Sequence, residues 1–201
     1  MPLEISIRTA GSHREAFRPP YPLILMSEYR RLRVPGGMYF FTVNLLDRGS
    51  SLLTEHIGAL RDAIRVAKAS RPFHIDAWVV LPDHMHCVWT LPGGDVDYST
   101  RWKNIKREFS SSLPKIETIS TSRIARGERG IWQRRFWEHT IRDDDDYAAH
   151  IDYIHINPFK HGLVQQVSYW PYSSFHRFVA RGIYPRDWVC NREELPAGEM
   201  P

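Results

Sequence analysis

The chain is organised around one stretch near its middle, LPDHMHCVW at residues 81–89. The turn signal Pro82-Asp83 followed by alternating residues predicts a β-strand, whose successive side chains point to opposite faces. The apolar residues then share one face, while His84 and His86 share the other, which we expect to line a surface cleft. Two imidazoles side by side can hold one metal ion. Alone, such a pair is more often two surface histidines, so a second motif is needed.

A second stretch, YAAHIDYIHINP at residues 147–158, predicts a helix. The acidic run Asp143–Asp146 precedes it, and negative charge suits the N-terminal end of the helix dipole. We expect Pro158 to end the helix, because a proline pushes the preceding residue out of the helical region. Tyr153 and Asn157 are four residues apart, so a phenol and an amide oxygen share one face. The alternative interpretation is a buried tyrosine and an asparagine that caps the helix.

Composition places the chain among ordinary globular proteins. Its 201 residues suit one domain with tails, and its net charge of +4 and pI of about 9.2 favour an anionic partner. Cys87 and Cys190 lack the spacing of a redox or zinc motif, which favours a reduced cytoplasmic protein with Cys87 in the core. No apolar run approaches membrane-spanning length, and no signal-peptide core is evident.

The other predicted elements complete a mixed α+β pattern. Apolar stripes predict one helix that Thr54 caps and a second that Ser99 or Thr100 caps. The predicted strands are residues 38–45, 73–81, 84–91 and 131–141. The resulting order, βαββαβ, is that of a ferredoxin-like sandwich.

Basic residues cluster in three places, each of which can either be merely solvated or contact a nucleic-acid backbone. One cluster lies beside Tyr29 before the first strand, one lies along the second long helix, and one borders the fourth strand. The candidate DNA-contacting residues are Arg30, Arg31, Arg33, Lys103, Lys106, Arg107, Arg134 and Arg135.

Four segments together resemble the single-tyrosine HUH transposases, and more closely the REP-associated tyrosine transposases of bacteria. The resemblance spans roughly residues 29–170. It departs from the family at Asp83, where the family often has Asn, and at Phe159, where it often has Val. The segments are GGMYFFTV (36–43), LPDHMH (81–86), IWQRRFWEHTIRD (131–143) and YIHINPFKHGLV (153–164).

The resemblance implies a ferredoxin-like fold with an antiparallel sheet and a C-terminal helix that carries the nucleophile, Tyr153. It implies a divalent metal held by His84, His86 and Asn157. Mg²⁺ prefers oxygen ligands, so Mn²⁺ fits such a mixed site at least as well. Attack by the tyrosine on single-stranded or hairpin DNA of the REP type would give a 5′-phosphotyrosine and a free 3′-hydroxyl. The protein would act in the bacterial cytoplasm at the nucleoid, as a monomer or homodimer.

The expected organisation is a flexible arm over residues 1–28, a catalytic domain over 29–165 and a C-terminal extension over 166–201. Two other functions stay open: a metal-dependent phosphodiesterase in which water attacks the DNA, and a non-catalytic DNA-binding protein derived from a transposase. His139, His150 and His155 receive no role from the sequence, although His150 lies one turn before the tyrosine.

Overall fold

An antiparallel sheet of four strands organises the structure, a computed structural model that describes residues 32–117 and 119–189. Its strand order is β2-β3-β1-β4, and every neighbouring pair is antiparallel. This order confirms the predicted ferredoxin-like arrangement. Arg30, Arg31 and the predicted arm lie outside the described residues. The strands are β1 (Met38–Asn44), β2 (His74–Val80), β3 (His84–Thr90) and β4 (Trp137–Thr140).

Helices cover both faces of this sheet. The longer helices α2 and α3 lie on one face, and α5 and α6 pack on the other. No helix in the described ranges has the length and apolar character needed to cross a bilayer. The helices are α1 (Leu52–Glu55), α2 (Ile57–Ser70), α3 (Tyr98–Ser111), α4 (Thr121–Ile124), α5 (Asp144–Lys160) and α6 (Phe175–Ala180), with a 3₁₀ turn at Val167–Tyr169.

Strand β3 contributes to two cores because its side chains alternate between the faces. Its apolar set packs against α2 and α3, where the Trp89 and Trp102 rings stack with centroids 4.2 Å apart. His84 and His86 face α5 instead, and they are only 3% and 1% exposed. The expected surface cleft is therefore wrong, because α5 closes over the second face of the sheet.

Helix α5 continues past the predicted stop and runs through Pro158 to Lys160. Its end is set by Gly162, whose φ of +69° is a left-handed conformation that glycine adopts readily. The backbone N–H groups of Gly162 and Leu163 donate to the carbonyls of Phe159 and Pro158, which is the Schellman pattern of helix termination. The preference of residues before proline for extended backbone is thus overridden by packing of the helix.

Two predicted helix caps also differ from the structure. Thr54 lies inside the short α1, and the N-cap of α2 is His56. The N-cap of α3 is Asp97 rather than Ser99 or Thr100, because its carboxylate accepts the backbone N–H of Thr100 at 3.0 Å. An aspartate two or three residues earlier can satisfy the first turn as well as a serine or threonine. The predicted acidic start of α5 is confirmed, with Asp143 as its N-cap.

The fourth strand is shorter than the predicted 131–141, because its first half leaves the sheet. Trp132 keeps only an isolated bridge to Leu45. Its indole donates to Ser110 Oγ at 3.1 Å, and its ring packs against Phe109 on α3. Residues 131–136 therefore connect α3 to the edge of β1 instead of extending β4.

Hydrogen bonds attach the segment after α5 to the sheet and to α5. Trp170 donates its indole N–H to Val80 O at 2.9 Å, and Ser174 Oγ accepts the backbone N–H of Trp78 at 2.9 Å. His155 Nε2 lies 3.0 Å from the same hydroxyl. Burial, reinforced by nearby positive charge, lowers the pKa of His155 to about 3, so this fully buried ring is neutral. His155 thus joins α5 to the C-terminal segment.

Candidate active site

The two histidines of β3 are oriented by partners on their Nδ1 atoms. Their ring centroids are 5.0 Å apart. His84 Nδ1 lies 2.7 Å from Asp83 Oδ1, and His86 Nδ1 lies 2.9 Å from Thr42 Oγ1 on β1. A carboxylate accepts a hydrogen bond from the N–H group at Nδ1, and this tautomer leaves Nε2 of His84 with its lone pair. Such partners fix the ring and tautomer of metal-binding histidines.

Helix α5 brings the tyrosine and asparagine to the same histidines. The Tyr153 ring lies 5.2 Å from the His86 ring and 5.9 Å from the Phe40 ring. Asn157 is fully buried, and its Nδ2 donates to Tyr153 O at 3.3 Å inside the helix. Because α5 continues to Lys160, Asn157 does not cap the helix end. The alternative interpretation is therefore wrong about the cap, although Tyr153 is buried as it expected.

Three buried ligand atoms at this place lack a hydrogen-bond partner among the described residues: His84 Nε2, His86 Nε2 and Asn157 Oδ1. We call these three residues the ligand cluster. A buried polar atom without a partner costs about 1–3 kcal/mol, which a bound cation would offset. Two imidazole nitrogens and an amide oxygen fit a divalent metal, Mn²⁺ at least as well as Mg²⁺.

The electrostatics of the site favour the metal-binding protonation states. Burial lowers the pKa of His86 well below its ordinary value, and the charges of Lys160 and Arg48 act in the same direction. Neutral imidazole is the form that binds metals. Burial alone would raise the pKa of Asp83, but the hydrogen bond with His84 and the charge of Arg48 outweigh it, so the pKa is lowered. Asp83 is therefore a carboxylate at neutral pH.

Arg48 is a site residue that the sequence did not indicate. Its Nε lies 3.0 Å from Asp83 Oδ2, and its Nη1 donates to Asn44 Oδ1 at 2.6 Å. Asn44 pairs with His84 across β1 and β3, so the sheet register brings this arginine to the histidines. Arg48 follows β1 in a loop without a recognisable motif, and only the register could have identified it.

Lys160 is the second residue that sequence reasoning missed. Its Nζ lies 5.0 Å from the centroid of the Tyr153 ring. Because the sequence predicted a helix that ends at Asn157, Lys160 was expected to lie outside the helix. The signal was present in the spacing of Tyr153, Asn157 and Lys160, which matches one helical face if the helix continues.

A second cluster, His139, Asp146 and His150, lies between β4 and the first turns of α5, and we call it the carboxylate cluster. Its ligand atoms lie within 4.8 Å of one another. His139 Nε2 is 2.8 Å from Asp146 Oδ2. His150 Nδ1 is 2.7 Å from the backbone carbonyl oxygen of Asp146 and 3.0 Å from its Oδ1. The backbone N–H of Arg142 also donates to Asp146 Oδ2 at 3.0 Å. The polar atoms of the cluster are hydrogen-bonded to one another, so the cluster links β4 to α5.

The predicted DNA-contacting residues that the structure describes are spread over the surface. Arg33, Lys103 and Arg135 are exposed. Arg107 and Arg134 form ion pairs with Glu108 and Glu128. α3, which carries the lysines and Arg107, lies on the sheet face opposite α5, so these residues do not surround the ligand cluster.

One polar path nevertheless joins α3 to the edge of the site. Lys106 Nζ donates to Gln133 O at 2.9 Å, and Asn44 Nδ2 reaches Gln133 Oε1 at 3.4 Å. Asn44 in turn holds Arg48. The segment that contains Arg134 and Arg135 therefore borders the site from the β1 side.

Comparisons with known proteins identify the family. No family model matches the chain. A REP-associated tyrosine transposase of Escherichia coli (strain K12) is 55% identical over 174 residues, which are 87% of this chain and 98% of that protein. A Haemophilus influenzae relative assigned to the same family is 49% identical over 176 residues, 87% of this chain and all of that protein.

A solved structure gives the same result for the fold. It is a REP-associated tyrosine transposase bound to a REP hairpin, 55% identical, with a TM-score of 0.74 over 88% of this chain and 99% of that one. Identity at this level over nearly the whole of each relative establishes common family membership. The chain belongs to the REP-associated tyrosine transposases.

Proposed function

We propose that this protein cleaves and rejoins single-stranded or hairpin DNA of the REP type through a covalent bond between Tyr153 and a 5′-phosphate. One observation carries the proposal: the phenol ring lies 5.2 Å from His86, on the α5 face whose Asn157 belongs to the ligand cluster. The relative solved with a REP hairpin supports hairpin DNA as the substrate.

The ligand cluster would hold a divalent cation through His84 Nε2, His86 Nε2 and Asn157 Oδ1. Such a cation offsets the charge of the phosphodiester and polarises its phosphoryl oxygen. Asp83 and Thr42 keep the two rings in the binding orientation through Nδ1. Phe40 packs edge-on against the phenol and fixes its approach.

Tyr153 exchanges one phosphodiester for another. Its phenol oxygen forms a bond to phosphorus, the bond from phosphorus to the 3′-oxygen breaks, and the phenol proton is balanced by the proton that the 3′-hydroxyl gains. Because the energy of the ester is kept in the covalent link, rejoining needs no ATP.

The backbone of the DNA has cationic contacts available beside the site. Arg48 is about half-exposed at the edge of β1, and the segment with Arg134 and Arg135 follows on the same side. Phosphate contacts of this kind position DNA without reading its sequence. Lys103, Lys106 and Arg107 would extend the path along α3.

The test is incubation of labelled hairpin DNA with the protein and Mn²⁺, followed by denaturing electrophoresis. Wild-type protein should give a denaturation-resistant adduct and a 3′-hydroxyl product. Tyr153→Phe removes one oxygen and little volume, so it should bind DNA and metal but form no adduct. Cleavage by wild-type protein without an adduct would favour attack by water, and DNA binding without cleavage would favour the non-catalytic alternative.

A further inference from the structure

The face of α5 that carries the nucleophile extends one turn further than the ligand cluster. Lys160 follows Tyr153 by seven residues and Asn157 by three. At about 100° per residue, seven residues turn the helix to within about 20° of the starting direction. Side chains on a helix lean towards its N-terminus, so a lysine at this position reaches back towards the tyrosine. The Nζ atom lies 5.0 Å from the centroid of the phenol ring.

The ammonium and the phenol ring differ in exposure. Lys160 is exposed, whereas Tyr153 is 4% exposed and its hydroxyl oxygen is buried. The Tyr153 ring in turn lies 5.2 Å from the His86 ring of the ligand cluster. Lys160 therefore contacts the ring of the proposed nucleophile from the solvent-accessible side of the chain and lies beside the place where the scissile phosphate would bind.

We propose that Lys160 is a catalytic residue, which donates a charge-assisted hydrogen bond to a non-bridging oxygen of the scissile phosphate while Tyr153 attacks. This rests on the proposed function. Negative charge accumulates on the phosphoryl oxygens as the new bond to phosphorus forms, and a fixed ammonium stabilises that charge. Lys160 keeps its proton throughout, so the balance of the exchange is unchanged.

The competing explanation is structural. A lysine in the last turn of a helix interacts favourably with the helix dipole and can rest on an aromatic ring without any role in catalysis. The chain contains a matched control for this explanation. Lys68 lies in the last turn of α2, and its Nζ lies 5.7 Å from the Phe73 ring, on the sheet face opposite α5.

The experiment compares Lys160→Gln, Lys160→Arg and Lys68→Gln in single-turnover adduct formation with saturating hairpin DNA and Mn²⁺. Lys160→Gln should slow the reaction by about 100-fold, the scale on which loss of one preorganised donor acts. Lys160→Arg should recover most of this rate, since the charge returns. Lys68→Gln should react at the wild-type rate, and Mn²⁺ affinity and melting temperature should stay unchanged in all three variants.

A second substrate separates catalysis from structure. A methylphosphonate at the scissile position removes the charge that Lys160 is proposed to contact, so the defect of Lys160→Gln should shrink to a few-fold on this substrate. Equal defects on both substrates, a wild-type rate for Lys160→Gln, or loss of Mn²⁺ affinity would each overturn the role of Lys160. Absence of an adduct from wild-type protein would instead overturn the proposed function, and the role of Lys160 with it.

Discussion

The ligand cluster and the carboxylate cluster contain similar side chains but differ in how their polar atoms are satisfied. Both use two histidines and lie between the sheet and α5. In the carboxylate cluster, the Asp146 carboxylate accepts from His139 and Arg142, and its backbone carbonyl accepts from His150. In the ligand cluster, three buried atoms lack a partner among the residues that the structure describes.

This difference separates stabilisation from function. Buried polar groups in native proteins are nearly always hydrogen-bonded, so a satisfied group contributes to the fold and an unsatisfied one needs another explanation. Mutual proximity of histidine and carboxylate atoms therefore does not identify a metal site by itself. Three unsatisfied ligand atoms gathered at one place are a stronger indication, and this comparison favours β3 and Asn157 for the proposed metal.

The largest expected effect is on metal binding by the ligand cluster. His84→Ala and His86→Ala should each weaken Mn²⁺ binding by more than about 100-fold, because an imidazole ligand is lost, and should abolish DNA cleavage. Asn157→Ala should be milder, since water can replace an amide oxygen. Titration calorimetry should show one Mn²⁺ per wild-type chain. Wild-type cleavage rates in either histidine variant would contradict the assignment.

The carboxylate cluster should respond in the opposite way. Asp146→Ala removes the carboxylate that His139 and Arg142 contact, while His150 keeps the backbone carbonyl of residue 146, so the free energy of unfolding should fall by about 2 kcal/mol. Mn²⁺ stoichiometry and affinity should not change. Urea unfolding with and without metal measures both quantities. A fall in the number of bound ions would mean that the carboxylate cluster is also a metal site.

A smaller effect is expected from the residue that orients His84. Asp83→Asn keeps the size of the side chain but removes its negative charge. The carboxylate that accepts a hydrogen bond from His84 Nδ1 and pairs with Arg48 is then lost, so Mn²⁺ affinity should fall by about 10-fold. The matched control is Asp76→Asn, because Asp76 Oδ1 contacts Nδ1 of the exposed His74 at 3.0 Å. The control should bind Mn²⁺ like the wild type. Equal affinities in all three proteins would show that the orientation of His84 does not depend on Asp83.

The last test concerns a buried histidine outside both clusters. The pKa of His155 is about 3 in the folded chain and about 6.5 when unfolded. Between these two values the unfolded chain binds one more proton than the folded chain. The free energy of unfolding therefore falls as the pH falls, and His155 contributes at most about 1.4 kcal/mol per pH unit to this decline. His155→Phe should flatten the decline between pH 6 and pH 4 by up to this slope. An unchanged slope in urea unfolding would show that His155 is protonated in the folded state.

The sequence could predict the fold because its periodicities are strong and its elements are local. The alternation in β3 and the stripes of α2 and α3 identify their buried faces without tertiary information. The ends of elements were less predictable, since Asp97 and Gly162 compete with neighbouring signals that a single sequence does not rank. The proline rule failed at Pro158 because packing of α5 on the sheet outweighs a local backbone preference.

The site was predictable where its residues share one element. His84 and His86 share a strand, and Tyr153 and Asn157 share a helix. Arg48 was missed because its proximity depends on the pairing of β1 with β3, and Lys160 because it depends on the last turn of α5. The burial of both histidines was also missed, since the sequence does not show which helix covers which face.

The burial of the proposed nucleophile implies that the site must open before it reacts. The hydroxyl oxygen of Tyr153 and the Nε2 atoms of His84 and His86 are all inaccessible to solvent. A phosphodiester can reach them only after the residues that cover them move aside. Opening then becomes a gate that precedes chemistry, and gates of this kind often limit turnover. With increasing DNA concentration, the rate of adduct formation should therefore level off at a value that does not exceed the opening rate.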